Sequence, residues 1–264
     1  MREAPTGSWA TEYFRRDGTV STWWDPLSEE DPSFRDWFLG QLDDAVAACA
    51  PQGKKVLDAA TGRGRAAVGC AAAGARQVVG VDISEDMLDR ARELAAEGGV
   101  AESTSFVQAD LEQLPFADGE FEAALLLETL LHLERPGGVL AELGRVLQPG
   151  GRLFLTTNGA NPLARLVQPG TRGAHGASRW KLAAATAVNE LMTAAFGFTW
   201  RRAPATARLY GRFFNAPVRP LYPWQIRRML ADAGFTTVYQ RSVPEPLLPR
   251  EHRWLAIKRG EGDT

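Results

Sequence analysis

Three carboxylates, each closing an apolar run, are the residues in the first half of this chain whose type and spacing could do chemistry. Asp58 stands four residues before Gly62 in VLDAATGRGR, Asp82 ends QVVGVD, and Asp110 follows FVQA. Gly62 and Gly64 leave a turn free of Cβ atoms, so that backbone and a helix N-terminus can approach a nucleotide. Taken alone, Gly62-Arg63-Gly64-Arg65-Ala66-Ala67 satisfies the G-x-G-x-x-A dinucleotide fingerprint, with Asp82 where a ribose-binding acid belongs. Asp58 argues otherwise, because a carboxylate inside the loop motif repels a pyrophosphate and attracts a cation. An acid at the end of each of three successive strands makes a crevice suited to a positively charged nucleoside, which counts against NAD.

The elements that must hold these acids alternate in kind. VLDAA reads as a buried strand, Gly64 to Ala73 as a helix ended by Gly74, QVVGVD as a second strand, and Ser84 to Glu97 as a second helix. Ser84 is the expected N-cap, and Met87, Leu88, Ala91, Leu94 and Ala95 form the apolar face. Ser103 to Gln108 and Phe121 to Leu127 supply two more strands; helix Gly138 to Leu147 ends at Pro149-Gly150-Gly151, before a fifth strand from Arg152 to Thr157. A last helix, Pro223 to Ala233, precedes strands at Phe235 to Arg241 and Arg253 to Lys258. The alternation implies an α/β, doubly wound, mostly parallel sheet with helices on both faces.

Three regions follow. Residues 1–50 form an N-terminal helical cover, rich in aromatics such as Tyr13, Trp23 and Trp24 and ending in a helix from about Asp31 to Cys49. Residues 51–157 and 221–264 make the core, and 158–220 is a cap inserted at the rim where strand C-termini lie and ligands bind. From Asn158 to Leu230 there are eleven basic residues, ten Arg and Lys181, against one acid, Glu190. The whole chain has a formal net charge of -2, so the remainder is strongly acidic. Cys49 and Cys70 lie in Ala-rich segments with no metal-ligand spacing and read as small buried hydrophobes. MREAPTGSWA lacks the apolar core of a signal peptide and no stretch is apolar enough to span a bilayer, so a cytoplasmic protein without membrane insertion is expected.

S-adenosylmethionine, with its sulfonium and ammonium, is a nucleoside of the required charge. VLDAATGRG, VVGVDISEDML, FVQADLEQLPF, FEAALLLETLLHL and GRVLQPGGRLFLTT resemble, in order and spacing, the successive motifs of the class I S-adenosylmethionine-dependent methyltransferases, small-molecule type. The likeness covers residues 54 to 157 and resumes at PWQIRRMLADAGF. It implies a Rossmann-like sheet whose last strand is antiparallel, with S-adenosylmethionine as cofactor and S-adenosylhomocysteine as product. By the same resemblance, the Gly62 to Gly64 backbone approaches the methionine moiety and Asp58 lies beneath the loop. Asp82 holds the ribose hydroxyls, Ile83 and Met87 flank adenine, and Asp110 and Leu111 meet its edge. Ala60 departs from the pattern, for the family usually has Gly there.

Methyl transfer from a sulfonium is an in-line displacement that alignment alone can accelerate, so a base is optional. The candidate is His132, four residues after Glu128 at the cofactor rim; His175 and His252 rank behind it. Glu128-Thr129-Leu130-Leu131-His132 resembles the E-x-x-E-H arrangement that ubiquinone-type O-methyltransferases and small-RNA 2′-O-methyltransferases use to hold a divalent ion. Here Leu131 replaces the middle acid, and no metal is expected. Glu128 is grouped with the cofactor-binding residues. The cationic cap fits a small anionic substrate, and an acidic carrier protein also matches its charge. An RNA backbone is a rival partner, opposed by a pI of about 6.0 and the lack of a recognisable RNA module. The expectation is a methyltransferase acting at oxygen or nitrogen of a small molecule. The rivals are an RNA methyltransferase and a protein of this fold that binds the cofactor without transferring methyl.

Overall fold

A computed structural model describes residues 32–158, 221–244, 249–260 and 262 of the chain. The N-terminal aromatics, His175 and almost all of the cap lie outside them. In chain order the elements are α1 (Pro32–Cys49), β1 (Lys55–Ala59), α2 (Arg65–Ala72), β2 (Gln77–Asp82), α3 (Glu85–Glu97), β3 (Thr104–Gln108), β4 (Phe121–Leu126), α4 (Pro136–Val146), β5 (Leu147–Asn158), α5 (Pro223–Asp232), β6 (Phe235–Pro244) and β7 (Pro249–Lys258). The seven strands form one sheet in the order β3-β2-β1-β4-β5-β7-β6. Strands β1 to β5 pair in parallel, and β7 runs antiparallel to both its neighbours.

Local chemistry explains the elements. In β1 Val56, Leu57, Asp58 and Ala59 are all buried, because a central parallel strand is covered on both faces and needs no polar alternation. Successive residues feed opposite layers: Leu57, Val79, Leu153 and Leu155 pack with α4 and α5 residues such as Leu140 and Ile226. Val56, Val78, Leu125 and Phe154 pack instead with Ala45 of α1 and Ala66, Ala67 and Cys70 of α2. Cys49 and Cys70 are free and buried, and burial pushes the Cys70 thiol up to about 12. Helix α3 starts where the Ser84 hydroxyl accepts a hydrogen bond from the Met87 N–H, with Glu85 and Asp86 favourably placed in the first turn. Among the described residues, no helix is long and apolar enough to cross a membrane.

Several element boundaries differ from the sequence reading. Helix α4 begins at Pro136 rather than Gly138, since the fixed φ of a proline suits the first helical position. Strand β5 begins directly after it at Leu147, and the Pro149-Gly150-Gly151 turn shifts the pairing with β4 from Phe121↔Leu147 to Ala123↔Arg152. Strands β6 and β7 extend as a hairpin to the pair Pro244↔Pro249, beyond the point where apolar alternation is legible.

Gly80 shows how tightly the sheet is packed beneath the crevice. A Cβ there would lie 2.6 Å from Phe106 Cδ1 and 2.9 Å from Thr61 Oγ1. Gly80→Ala is expected to destabilise the fold by about 1–3 kcal/mol through overpacking. A urea midpoint equal to that of the wild type would contradict this.

Candidate functional site

The strand order reverses at β1: the chain moves outward to β2 and β3, then returns to β4 on the other side. Loops leaving β1 and β4 therefore diverge and open a crevice at the strand C-termini. The residues of the loop after β1 take left-handed conformations at Ala60 (φ 58°), Gly62 (φ 53°) and Gly64 (φ 78°). Gly64 caps α2 and admits no side chain, because a Cβ would come 2.8 Å from the Ala91 Cβ of α3. The Thr61 N–H donates to the Val81 carbonyl at 2.8 Å and the Gly64 N–H to the Thr61 carbonyl at 2.9 Å. The turn is thus pinned to β2.

Two carboxylates brace it. Asp58 is only 2% exposed, and its Oδ2 accepts the Thr61 hydroxyl at 2.6 Å. Burial pushes its carboxyl up to about 6, against the pull of the bonds from Thr61 and the Ala67 backbone, with Asp82 adding a further upward push. Asp82 accepts the Gly62 N–H on Oδ2 at 2.9 Å and the Ser84 N–H on Oδ1 at 3.1 Å. Its carboxyl is also raised by burial, which outweighs its backbone hydrogen bonds. One side chain therefore fixes the glycine turn relative to the start of α3. Ile83 comes next, its carbonyl accepting Gln108 Nε2 at 3.0 Å, and Met87 is buried in the first turn of α3.

Asp110 is held in a turn of its own. Its Oδ1 accepts the Glu112 N–H at 3.0 Å and its carbonyl the Gln113 N–H at 3.0 Å, while Leu111 is buried in the core. Its carboxylate orders the loop after β3.

Across the reversal, Glu128 follows β4 with φ 51°, a left-handed conformation costly for a side chain of its kind. It is 8% exposed, and its Oε1 accepts Gln41 Nε2 of α1 at 3.1 Å. The same Nε2 lies 3.0 Å from Thr156 Oγ1, and the Glu128 N–H donates to that hydroxyl at 3.1 Å. Helix α1 is thereby stitched to the ends of β4 and β5. His132 closes the single turn Leu130–His132, half-buried, with its N–H donating to the Thr129 carbonyl at 2.8 Å. His252, on β7, has Nδ1 2.9 Å from Ser242 Oγ. Among the described residues no group of three His, Cys, Asp or Glu side chains could hold a metal ion.

Hydrogen bonds thus join Asp82 to Gly62 and Asp58 to Thr61 in one unit, and the Ala59↔Leu126 register brings the Glu128 segment alongside. Gln41, Thr61 and Thr156 are additions the sequence reading missed. Thr61 was findable as the hydroxyl inside the glycine loop. Gln41 lies 87 residues from its partner Glu128 and gave no local signal.

A doubly wound sheet with this carboxylate-braced glycine turn at its reversal places the domain in the α/β class of open, mostly parallel sheets. Residues 57–155 match the family described as methyltransferase domain. The chain is 37% identical over 148 residues to a ubiquinone biosynthesis O-methyltransferase of Dechloromonas aromatica, covering 54% of this chain and 61% of that protein. It is 36% identical over 117 residues to 27-O-demethylrifamycin SV methyltransferase of Amycolatopsis mediterranei, covering 44% and 43%. The chain therefore spans less than two thirds of either relative. Among solved structures, magnesium protoporphyrin IX methyltransferase from Synechocystis, with bound SAH, superposes with a TM-score of 0.62 at 21% identity, over 94% of this chain and 97% of that one. That likeness establishes the shared fold.

Two predictions follow from the strained and buried groups. Ala60→Gly removes a left-handed cost of about 1–2 kcal/mol and adds about 0.5–1 kcal/mol of glycine entropy, so stability should be unchanged or rise by up to about 1.5 kcal/mol. A drop in thermal midpoint would contradict it. The raised Asp58 carboxyl penalises the folded state fully above about pH 6 and not at all below the ordinary carboxylate value of 3.8. Relative to Asp58→Asn, the wild type should lose about 3 kcal/mol of stability as pH rises through that window. Parallel pH profiles for the two proteins would contradict it.

Proposed function

We propose that the protein is an S-adenosylmethionine-dependent methyltransferase acting on a small molecule. The observation that carries the reading is Asp82, whose two oxygens are oriented by the Gly62 and Ser84 N–H groups. A carboxylate fixed in this way retains acceptor capacity on both oxygens, as recognition of a ribose diol requires. The residues fit a cationic adenosyl ligand in charge and shape. Asp58 places buried negative charge under the turn, Gly62 and Gly64 leave the backbone bare, and Ile83, Met87 and Leu111 supply apolar surface.

When bound, S-adenosylmethionine supplies a methyl group already activated by its sulfonium. The chain's own work is to bind, orient and exclude water. Asp82 accepts the ribose hydroxyls, the Gly62 to Gly64 backbone approaches the methionine portion, and Asp110 with Leu111 meets the adenine edge. Glu128, fixed by Gln41, adds negative charge on the β4 side of the crevice. Among the described residues, His132 is the candidate to take a proton from the acceptor at its imidazole. Oxygen is the favoured acceptor atom, since the relatives' names specify O-methylation. The excess of Arg between Asn158 and Leu230 suits an anionic acceptor.

Calorimetry with S-adenosylmethionine and S-adenosylhomocysteine tests this reading. Both should bind, and Asp82→Ala should weaken both about 100-fold, the worth of one to two hydrogen bonds to a charged group. Incubation with S-adenosylmethionine and a panel of hydroxylated and carboxylated small molecules should yield S-adenosylhomocysteine. Absence of binding would overturn the cofactor assignment. Binding with no product from any acceptor, including a cell extract, would leave a protein that holds the cofactor without transferring methyl.

A further inference from the structure

The connection from β3 to β4, residues 109–120, carries Asp110 and Leu111 and has no helix or strand of its own. Its backbone is held instead from α4, by Arg145. The Arg145 Nε donates to Glu142 Oε2 at 2.9 Å. Nη1 donates to the Phe116 carbonyl at 2.8 Å and to Asp118 Oδ1 at 2.7 Å. Nη2 donates to the Leu114 carbonyl at 3.1 Å and to Glu142 Oε1 at 2.7 Å. These five bonds match the five N–H donors of a guanidinium. Glu142 completes the clamp by accepting the Leu114 N–H at 2.9 Å, and the Arg145 carbonyl accepts the Gly119 N–H at 2.9 Å. Phe116 packs edge-on against Phe121 at 5.0 Å, and Arg135 of the preceding turn pairs with Glu112.

We infer that Arg145 is a positioning residue for the nucleobase: by pinning residues 114–119 it sets where Asp110 and Leu111, a few residues before, stand, and so sets selectivity for adenine. The inference rests on the proposal that the crevice takes S-adenosylmethionine. The bonds that hold Asp82 run to Gly62 and Ser84 and involve no part of the clamp. Loss of the clamp therefore loosens base recognition and leaves ribose recognition in place. Lysine cannot substitute, because a single ammonium keeps the charge and cannot span two carbonyls and two carboxylates in one planar fork.

The test is titration of the full chain with S-adenosylhomocysteine and with S-inosylhomocysteine, in which an exocyclic 6-oxo group replaces the 6-amino group and N1 carries a proton. The wild type should prefer the adenosyl compound. Arg145→Lys should reduce that preference about tenfold, as a small displacement of a recognition loop does, and change affinity for the inosyl compound little. Glu142→Gln, which keeps the side-chain shape and removes the charge that Arg145 pairs with, should move the ratio in the same direction. Asp82→Ala should weaken both ligands equally and leave the ratio alone. A wild-type ratio in Arg145→Lys, whether or not its melting temperature falls, overturns the inference, and so does equal binding of both ligands by the wild type. Failure of the wild type to bind either compound would instead remove the underlying cofactor reading.

Discussion

The arrangement depends on one half-buried carboxylate placed across two strands. Asp82 ends β2, yet its oxygens hold the turn that leaves β1 and the residue that starts α3. Taking such a group out of water carries a penalty unless it is hydrogen-bonded, and the Gly62 and Ser84 partners are backbone N–H groups that cannot swing away. The constraint works in both directions. The carboxylate orients the glycine turn, and the turn and the α3 N-terminus orient the carboxylate. The geometry of the proposed nucleoside site is therefore set before any ligand arrives, which lowers the cost of ordering it on binding.

Around this anchor the chain tolerates strain that a purely structural design would avoid. Ala60 and Glu128 are both non-glycine residues at positive φ, and they follow the neighbouring strands β1 and β4 on either side of the reversal. Asp58 adds a buried carboxyl pushed up to about 6. Such costs persist where the surroundings over-determine the conformation, and two apolar layers do so here. Gln41 and Thr156 play that part for Glu128, holding its side chain and N–H from α1 and β5. The packed sheet supplies the rigidity and the crevice uses it.

Much of this was legible in the sequence because it is local. Apolar runs separated by capped helices give the first five strands, and the spacing of Asp58, Gly62, Gly64 and Asp82 marks the turn that these residues form together. What escaped is what distant residues do to one another. No periodicity announces that Gln41 reaches Glu128, or that Arg145, visible only as part of GRVLQPGG, braces a loop 27 to 31 residues away. Asp110 shows a subtler limit: an acid after a strand predicts a ligand contact and a self-capping turn equally well, and the hydrogen bond to Glu112 belongs to the second. The β6 and β7 extensions were hidden because Pro244 and Pro249 read as strand breaks, whereas the last pair of a hairpin tolerates both.

The central claim is that the fixed Asp82 carboxylate receives a ribose at the end of β2, beside the glycine turn. A crystal structure of the protein grown with S-adenosylhomocysteine measures this directly. The account predicts both ribose hydroxyls within hydrogen-bonding distance of Asp82, with the Gly62 and Ser84 N–H bonds retained. A nucleoside bound elsewhere, or an Asp82 side chain turned away from it, would contradict the account.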